Sequence, residues 1–336
     1  MFRIVHAMKS PGRPLFLCVA VVLVSAVSAL DAKSCLEIAL REQGDKLTLA
    51  ASGLTVRPNR SAKTISREFR TIYETLEKNS RLAGTVDGLV EKLSVELLGP
   101  LAGKINGAAC VVFQIQPAQM HFALDLLTVN AAPLFTQKPV GYSFKSNVDF
   151  SQQVVQSGGK GLIVRDPDTD PQDGAKMAHG YFPESKLLFM KQTGLRVFSG
   201  ARYDFILISG HGAVTMPWDA SDDADDDSIG FNDDELTAEI LGKARHKLVY
   251  LDSCQLGMSR DFIEAARDAG AKYYLAPIVS NEAGNSSTKT IKYFFGALRD
   301  GQAPIDALFT ARKKLYNEVK GKPREKLLYY AFPFRV

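Results

Sequence analysis

Two short segments carry side chains that could do chemistry together. The apolar run Phe205-Ile206-Leu207-Ile208 leads into Ser209-Gly210-His211-Gly212, and Leu248-Val249-Tyr250-Leu251 leads into Asp252-Ser253-Cys254-Gln255-Leu256-Gly257. A thiol is a strong nucleophile as its thiolate, and an imidazole beside it supplies the base or the imidazolium that favours ionisation near neutral pH. Neighbouring parallel strands would deliver His211 and Cys254 to one crevice, because ligands of open α/β sheets bind outside the carboxyl ends of the strands. The backbone N–H groups of Gly212 and Cys254 are then placed to hold the oxyanion of a tetrahedral intermediate. Either residue alone at a strand end reads as a packing residue; the joint placement points to chemistry. Glycines beside both allow tight turns and close approach of a substrate backbone.

Other candidate groups are weaker. His179-Gly180 repeats the His-Gly pair, but Ala175-Lys176-Met177-Ala178 before it is no strand, so it reads as a loop. His121 and His246 read as structural or solvent-facing. After His211 comes an acidic run (Asp219, Asp222, Asp223, Asp225, Asp226, Asp227, Asp233, Asp234, Glu235) with no Lys or Arg before Lys243. Such a run is ordinarily a solvated loop. Its sharper reading is calcium: Asp223, Asp225 and Asp227 alternate as in a calcium loop, although Ser228 stands where the pattern wants Gly and Asp234 where it wants Glu. No cofactor is required by the dyad chemistry, and calcium is the candidate ion. The same run could attract a basic substrate, and Trp218, the sole tryptophan, lines the cleft or packs.

The elements that must position these groups are legible from periodicity. Ile65, Phe69, Ile72, Tyr73 and Leu76 form one helical stripe, and Val86, Leu89, Val90, Leu93 and Leu97 another. Short apolar runs at 110–115, 161–164, 205–208, 248–251 and 273–276 read as buried parallel strands. Helices are expected at 184–192, 233–241, 259–269, 288–299 and 304–319. Strands alternating with helices imply an α/β sheet covered on both faces. The stretch 30–63 alone lacks an obvious place in it, which gives one domain with an N-terminal extension.

Composition agrees with an ordinary globular chain. The 336 residues are 46% hydrophobic and 23% charged, which excludes disordered, collagen-like and disulfide-dense classes. The formal charge of +4 falls to near neutrality once Arg3, Lys9 and Arg13 are set aside with the leader, leaving no drive toward nucleic acid or anionic membrane. Those basic residues precede the apolar run 15–29, which ends in Val27-Ser28-Ala29, the pattern of a signal peptide over 1–29. A retained anchor is the rival reading, but the run is shorter than the ~20 residues a span needs. The expectation is an exported protein, periplasmic or extracellular, off the membrane after cleavage. Of four cysteines, Cys18 leaves with the leader. Either Cys35 pairs with Cys110 and Cys254 is available for chemistry, or nothing pairs; within Ala109-Cys110-Val111-Val112-Phe113, Cys110 reads first as a buried strand residue. No Gly-x-Ser-x-Gly, Walker loop, His-Glu-x-x-His or Cys-x-x-Cys is present.

With these motifs in place, the chain resembles the caspase-like cysteine peptidases, a clan that includes caspases, metacaspases, clostripain, legumain and separase, and within it the CHAT domain. Beyond the dyad, the resemblance rests on the blocks Leu97–Ile105, Val111–Leu127, Pro133–Ser146, Leu162–Asp170 and Phe262–Leu315. It spans roughly Asp87 to Lys320. It implies a caspase-hemoglobinase-like three-layer α/β/α sandwich with a mostly parallel sheet. The corresponding organisation is a signal peptide 1–29, an extension 30–80 and a peptidase domain 81–325. It also implies a cysteine endopeptidase in which Cys254 attacks the peptide carbonyl and His211 transfers the proton, acting on a protein or peptide substrate. The alternative is a catalytically silent CHAT-like module that binds a partner in the same crevice. Asp252-Ser253-Cys254 departs from the Ser-Ala-Cys turn usual in CHAT domains and resembles metacaspases, where such an Asp receives a basic side chain from the residue before the scissile bond. Asp252 could instead cap its turn. The tandem helical repeats usual in the family are missing.

Overall fold

Turn chemistry and apolar alternation set the first elements. The computed structural model describes residues 35–78, 83–216, 227–280 and 283–318, with the backbone alone at Lys78, 83–85 and 331–335. Strands β1 (Cys35–Gln43), β2 (Lys46–Ala51) and β3 (Leu54–Val56) form an antiparallel meander whose turns use left-handed glycines, Gly44 at φ +59° and Gly53 at φ +81°. Helices α1 (Ala62–Lys78) and α2 (Ala83–Leu97) follow. The expected stripe of α1, Ile65 to Leu76, is buried, and Tyr73 Oη donates to the His121 carbonyl at 2.5 Å.

Beyond α3 (Ala102–Gly107) come β4 (Cys110–Gln114), the small ribbon β5 (Thr128–Val129) and β6 (Ala132–Pro133), α4 (Leu134–Gln137), β7 (Val140–Ser143) and β8 (Gly161–Arg165). Next are α5 (Gly174–Tyr181), β9 (Lys186–Phe189), β10 (Phe205–Ser209), β11 (Gly212–Ala213), β12 (Ser228–Phe231), β13 (Asp234–Thr237) and α6 (Ala238–Leu241). The chain continues through β14 (Leu248–Asp252), α7 (Arg260–Asp268), β15 (Tyr273–Pro277), α8 (Ser286–Arg299), α9 (Pro304–Glu318) and β16 (Ala331–Arg335).

One sheet collects most of these strands in the order β3-β2-β1-β4-β7-β16-β15-β14-β10-β8-β9. Neighbours from β1 to β16 and from β15 to β9 run parallel; the meander and the β15/β16 pair are antiparallel. Alternate residues of the central strands face opposite layers, as the period of two demands. Ile206, Ile208, Val249 and Leu251 join α1, α2 and α7 in one core, while Phe205, Leu207, Leu248 and Tyr250 join α5, α8 and α9 in the other. The result is the expected three-layer α/β/α sandwich with a mostly parallel sheet. Among the described residues no helix is long and apolar enough to cross a membrane.

Several local expectations are corrected. The stretch that lacked a place, 35–56, supplies three strands and extends the sheet past β4. Cys110 is not a lone packing thiol: Cys35 faces it across the β1/β4 pair, with Cα atoms 4.5 Å apart, and the two form a disulfide. His179 sits in α5, where its Nδ1 lies 3.0 Å from Ser185 Oγ, rather than in a loop. The helix expected over 184–192 is instead edge strand β9 followed by a 3-10 turn, and 233–241 divides into β13 and the short α6. The leader, 1–29, lies outside the described residues.

Both His121 and His246 are buried, and loss of hydration lowers each ring's pKa to about 4. The unfolded chain, titrating near 6.5, takes up these protons first, so stability falls as pH drops from about 6.5 to 4. His121 Nε2 meets Ser66 Oγ at 2.9 Å, whereas among the described residues neither ring nitrogen of His246 meets a side-chain partner. His246→Leu is therefore expected to match wild type in urea unfolding at pH 7 and to lose about 3 kcal/mol less between pH 7 and pH 4. Equal acid losses in the two proteins would refute this assignment.

Candidate active site

The site is built by two neighbouring strands in register. Ser209 at the end of β10 pairs with Asp252 at the end of β14, so His211 and Cys254 each lie two residues beyond paired positions, at the same edge of the sheet. The connection leaving β8 carries α5 over one face and the connection leaving β10 carries α6 over the other. Divergent connections of this kind open a crevice at the carboxyl ends of the strands, beside His211.

The glycines work differently from the sequence expectation. None of Gly210, Gly212 and Gly257 has a positive φ; Gly212 and Gly257 are required by close contact with backbone, whereas Gly210 faces the flexible end of Met190. A Cβ on Gly212 would stand 2.7 Å from the Cys254 carbonyl oxygen and 3.1 Å from its nitrogen. On Gly210 it would meet Met190 Cε at 2.6 Å, and on Gly257 the carbonyl oxygen of Ala276 at 2.6 Å. The segment after His211 thus rests directly on the backbone of Cys254.

That segment also presents a donor. Gly212 pairs with Ile229 of β12, and Gly230 N donates to His211 O at 3.0 Å across this pair. The pattern makes Gly212–Ile229 a pair whose own N–H and C=O groups point away from the partner strand. The Gly212 amide accordingly faces away from β12. Cys254, outside the disulfide, is half-buried.

Asp252 lies two residues before Cys254, opposite Ser209, and is 5% exposed. Its carboxylate accepts hydrogen bonds from Ser209 Oγ at 2.8 Å and from Ser287 Oγ at 2.7 Å, the latter in the first turn of α8. A second acidic group comes from the end of β8, where Asp166 N donates to Ser209 O at 2.8 Å. Two residues on, exposed Asp168 accepts from Lys191 Nζ at 2.7 Å; that ammonium holds its carboxyl below the usual carboxylate range, and the charge of His211 adds to the effect. Asp166, Asp168 and Ser287 were missed by sequence reasoning. A sequence signal for the two aspartates did exist, since the buried run 161–164 leads into them as the other runs lead into the dyad.

Of the calcium candidates, Asp227 accepts from Thr215 N at 2.9 Å, while Asp223 and Asp225 lie outside the described residues, as does Trp218. Among the described residues no three acidic, histidine or cysteine side chains stand together as a metal site.

No protein-family profile matches the chain, and no curated protein matches it. Among solved structures it is similar to the Saccharomyces cerevisiae separase–securin complex, with a TM-score of 0.56 and 9% identity. The match covers 90% of this chain and 30% of that one, so this chain corresponds to under a third of its length. At that identity the likeness concerns the fold, which is caspase-like.

The contact between Gly212 and Cys254 is testable. Gly212→Ala should destabilise the protein by about 1–3 kcal/mol in urea, because a Cβ there overlaps the backbone of Cys254. Gly158→Ala, where the space is open, should change stability by less than about 0.5 kcal/mol. Equal effects would mean that the two segments are not in contact.

Proposed function

We propose that this protein is an exported CHAT-like cysteine endopeptidase working through His211 and Cys254. The observation that carries the reading is the seating of the His211–Gly212 segment on the backbone of Cys254. It supports a shared reaction centre between a thiol, an imidazole and an outward-facing amide.

The mechanism follows from the chemistry of those groups. The Cys254 thiolate adds to the carbonyl carbon of the scissile peptide, and a carbon–sulfur bond forms as the carbonyl π pair moves to oxygen. The N–H groups of Gly212 and Cys254 hold that oxyanion. Imidazolium His211 gives its proton to the leaving nitrogen as the carbon–nitrogen bond breaks, leaving a thioester. Water then attacks with neutral His211 as base, and the thiolate departs from the released acid.

Asp252 is the residue proposed to favour Arg or Lys before the scissile bond. Its described hydrogen-bond partners are neutral hydroxyls, whereas Asp166 and Asp168 nearer His211 share the Lys191 ammonium. A guanidinium reaching Asp252 would gain a charge-assisted pair away from water. The disulfide between Cys35 and Cys110 supports export, since such bonds persist in oxidising compartments.

The test is cleavage of fluorogenic peptides carrying Arg, Lys, Ala, Leu or Asp before the bond, with wild type beside Cys254→Ala and His211→Ala. Both variants should lose at least about a thousandfold in kcat, and the Arg and Lys peptides should be cleaved fastest. Cleavage that survives Cys254→Ala would overturn the dyad. Absence of cleavage, together with a Cys254 alkylated no faster than an unfolded thiol, would instead favour the silent binding module.

A further inference from the structure

Helix α1 lies in the stretch that the sequence set apart as an extension, yet one of its side chains reaches the nucleophile turn. Glu77 Oε1 accepts from Gln255 Nε2 at 3.2 Å and from Ser280 N at 2.5 Å. Gln255 directly follows Cys254, and Ser280 lies in the loop leaving β15. One carboxylate oxygen therefore joins the loops that leave two adjacent strands, on the edge of the sheet where the dyad lies.

Gln255 needs such a restraint. Its backbone is left-handed, with φ 61° and ψ −2°, a conformation unfavourable to a residue with a Cβ that persists when the surroundings impose it. The far side of the turn is well held. Tyr274 Oη donates to Leu256 O at 2.7 Å, Gly257 lies against the carbonyl oxygens of Ala276 and Pro277, and Ser259 Oγ caps α7 by accepting from Phe262 N. On the near side, next to the thiol, the Gln255 side chain is tied to Glu77. The base of that tether is rigid, since Phe69, Ile72, Tyr73 and Leu76 of the same helix are buried.

We propose that Glu77 is a positioning residue that fixes the turn carrying Cys254, so that the N-terminal module is a working part of the site. The proposal rests on the peptidase reading above and acts through Gln255, with no contact to substrate. Glu77 is exposed, so its replacement leaves the core intact.

The experiment compares wild type with Glu77→Ala, Glu77→Gln and, as a control on the same helix, Glu74→Ala, which breaks an exposed pair with Arg70. Three readouts are taken: kcat and KM for peptide cleavage, the iodoacetamide alkylation rate of Cys254 across pH, and hydrogen exchange of the amides from Gln255 to Met258. Glu77→Ala should lower kcat about tenfold or more with KM little changed, because small misplacements of a reacting group cost large factors in rate. It should also displace the alkylation pH profile and speed exchange in the turn. Glu77→Gln keeps an acceptor oxygen and should restore all three to near wild type, and Glu74→Ala should leave them unchanged. Wild-type exchange and alkylation in Glu77→Ala would overturn the proposal, whether or not the enzyme cleaves the chosen peptides. Faster exchange in Glu77→Ala, with no cleavage by wild type and no enhanced thiol reactivity, would retain the positioning role and reject the peptidase reading instead.

Discussion

The site depends on the parallel pairing of β10 with β14 in a single register. Ser209 opposite Asp252 places His211 level with Cys254. Because side chains alternate along a strand, a slip of one residue would exchange the faces of Phe205, Leu207, Leu248 and Tyr250 with those of Ile206, Ile208, Val249 and Leu251. Both faces are apolar, so burial alone selects between these registers weakly. The choice is reinforced by size and by the chemistry at the strand ends. A Cβ on Gly161 would lie 2.2 Å from the Phe205 ring, which fixes β8 beside β10, and the Ser209 hydroxyl meets the Asp252 carboxylate only when the two residues are opposite.

The Asp252 carboxylate is the costly group in this arrangement, since a buried charge must be compensated. Part of that compensation comes from two hydroxyls, one on β10 and one in the first turn of α8, where backbone N–H dipoles favour negative charge. The same group thus ties the dyad strands to the helix on the opposite layer from α7. A substitution at Ser287 would therefore disturb the strand ends that carry His211 and Cys254, although it lies far from Cys254 in sequence.

Much of the fold, and the meeting of the His211 and Cys254 segments at one edge of the sheet, was legible in the sequence because the central strands are buried on both faces and so are continuous apolar runs ending in polar residues. The rest follows weaker signals. β9 is an edge strand whose Lys186 and Phe189 are exposed, and four residues after Pro183-Glu184 read as easily as a helix start. β1 and β2 do alternate, with Ile38 and Leu40, then Leu47 and Leu49, buried, and that period of two was readable although it was overlooked. The disulfide was one of two open readings, since adjacency of Cys35 and Cys110 arises from pairing β1 with a strand far along the chain. Glu77 and Ser287 had no local signal at all: their meaning lies in partners about 180 and 35 residues away, joined only by the tertiary fold.

Strand β16 has a consequence for how the molecule is assembled. It fills the position between β7 and β15, antiparallel to one and parallel to the other, so without it the sheet is two separate halves with raw edges facing each other. Its partner β7 lies nearly two hundred residues earlier, and pairing over such a distance pays a large loop-closure entropy before any contact rewards it. Pairing of β16 is thus among the least local contacts of the sheet. Until it forms, two hydrogen-bonding edges stand open at the centre of the molecule, the kind of surface on which a second copy can lay its own strand and trade segments.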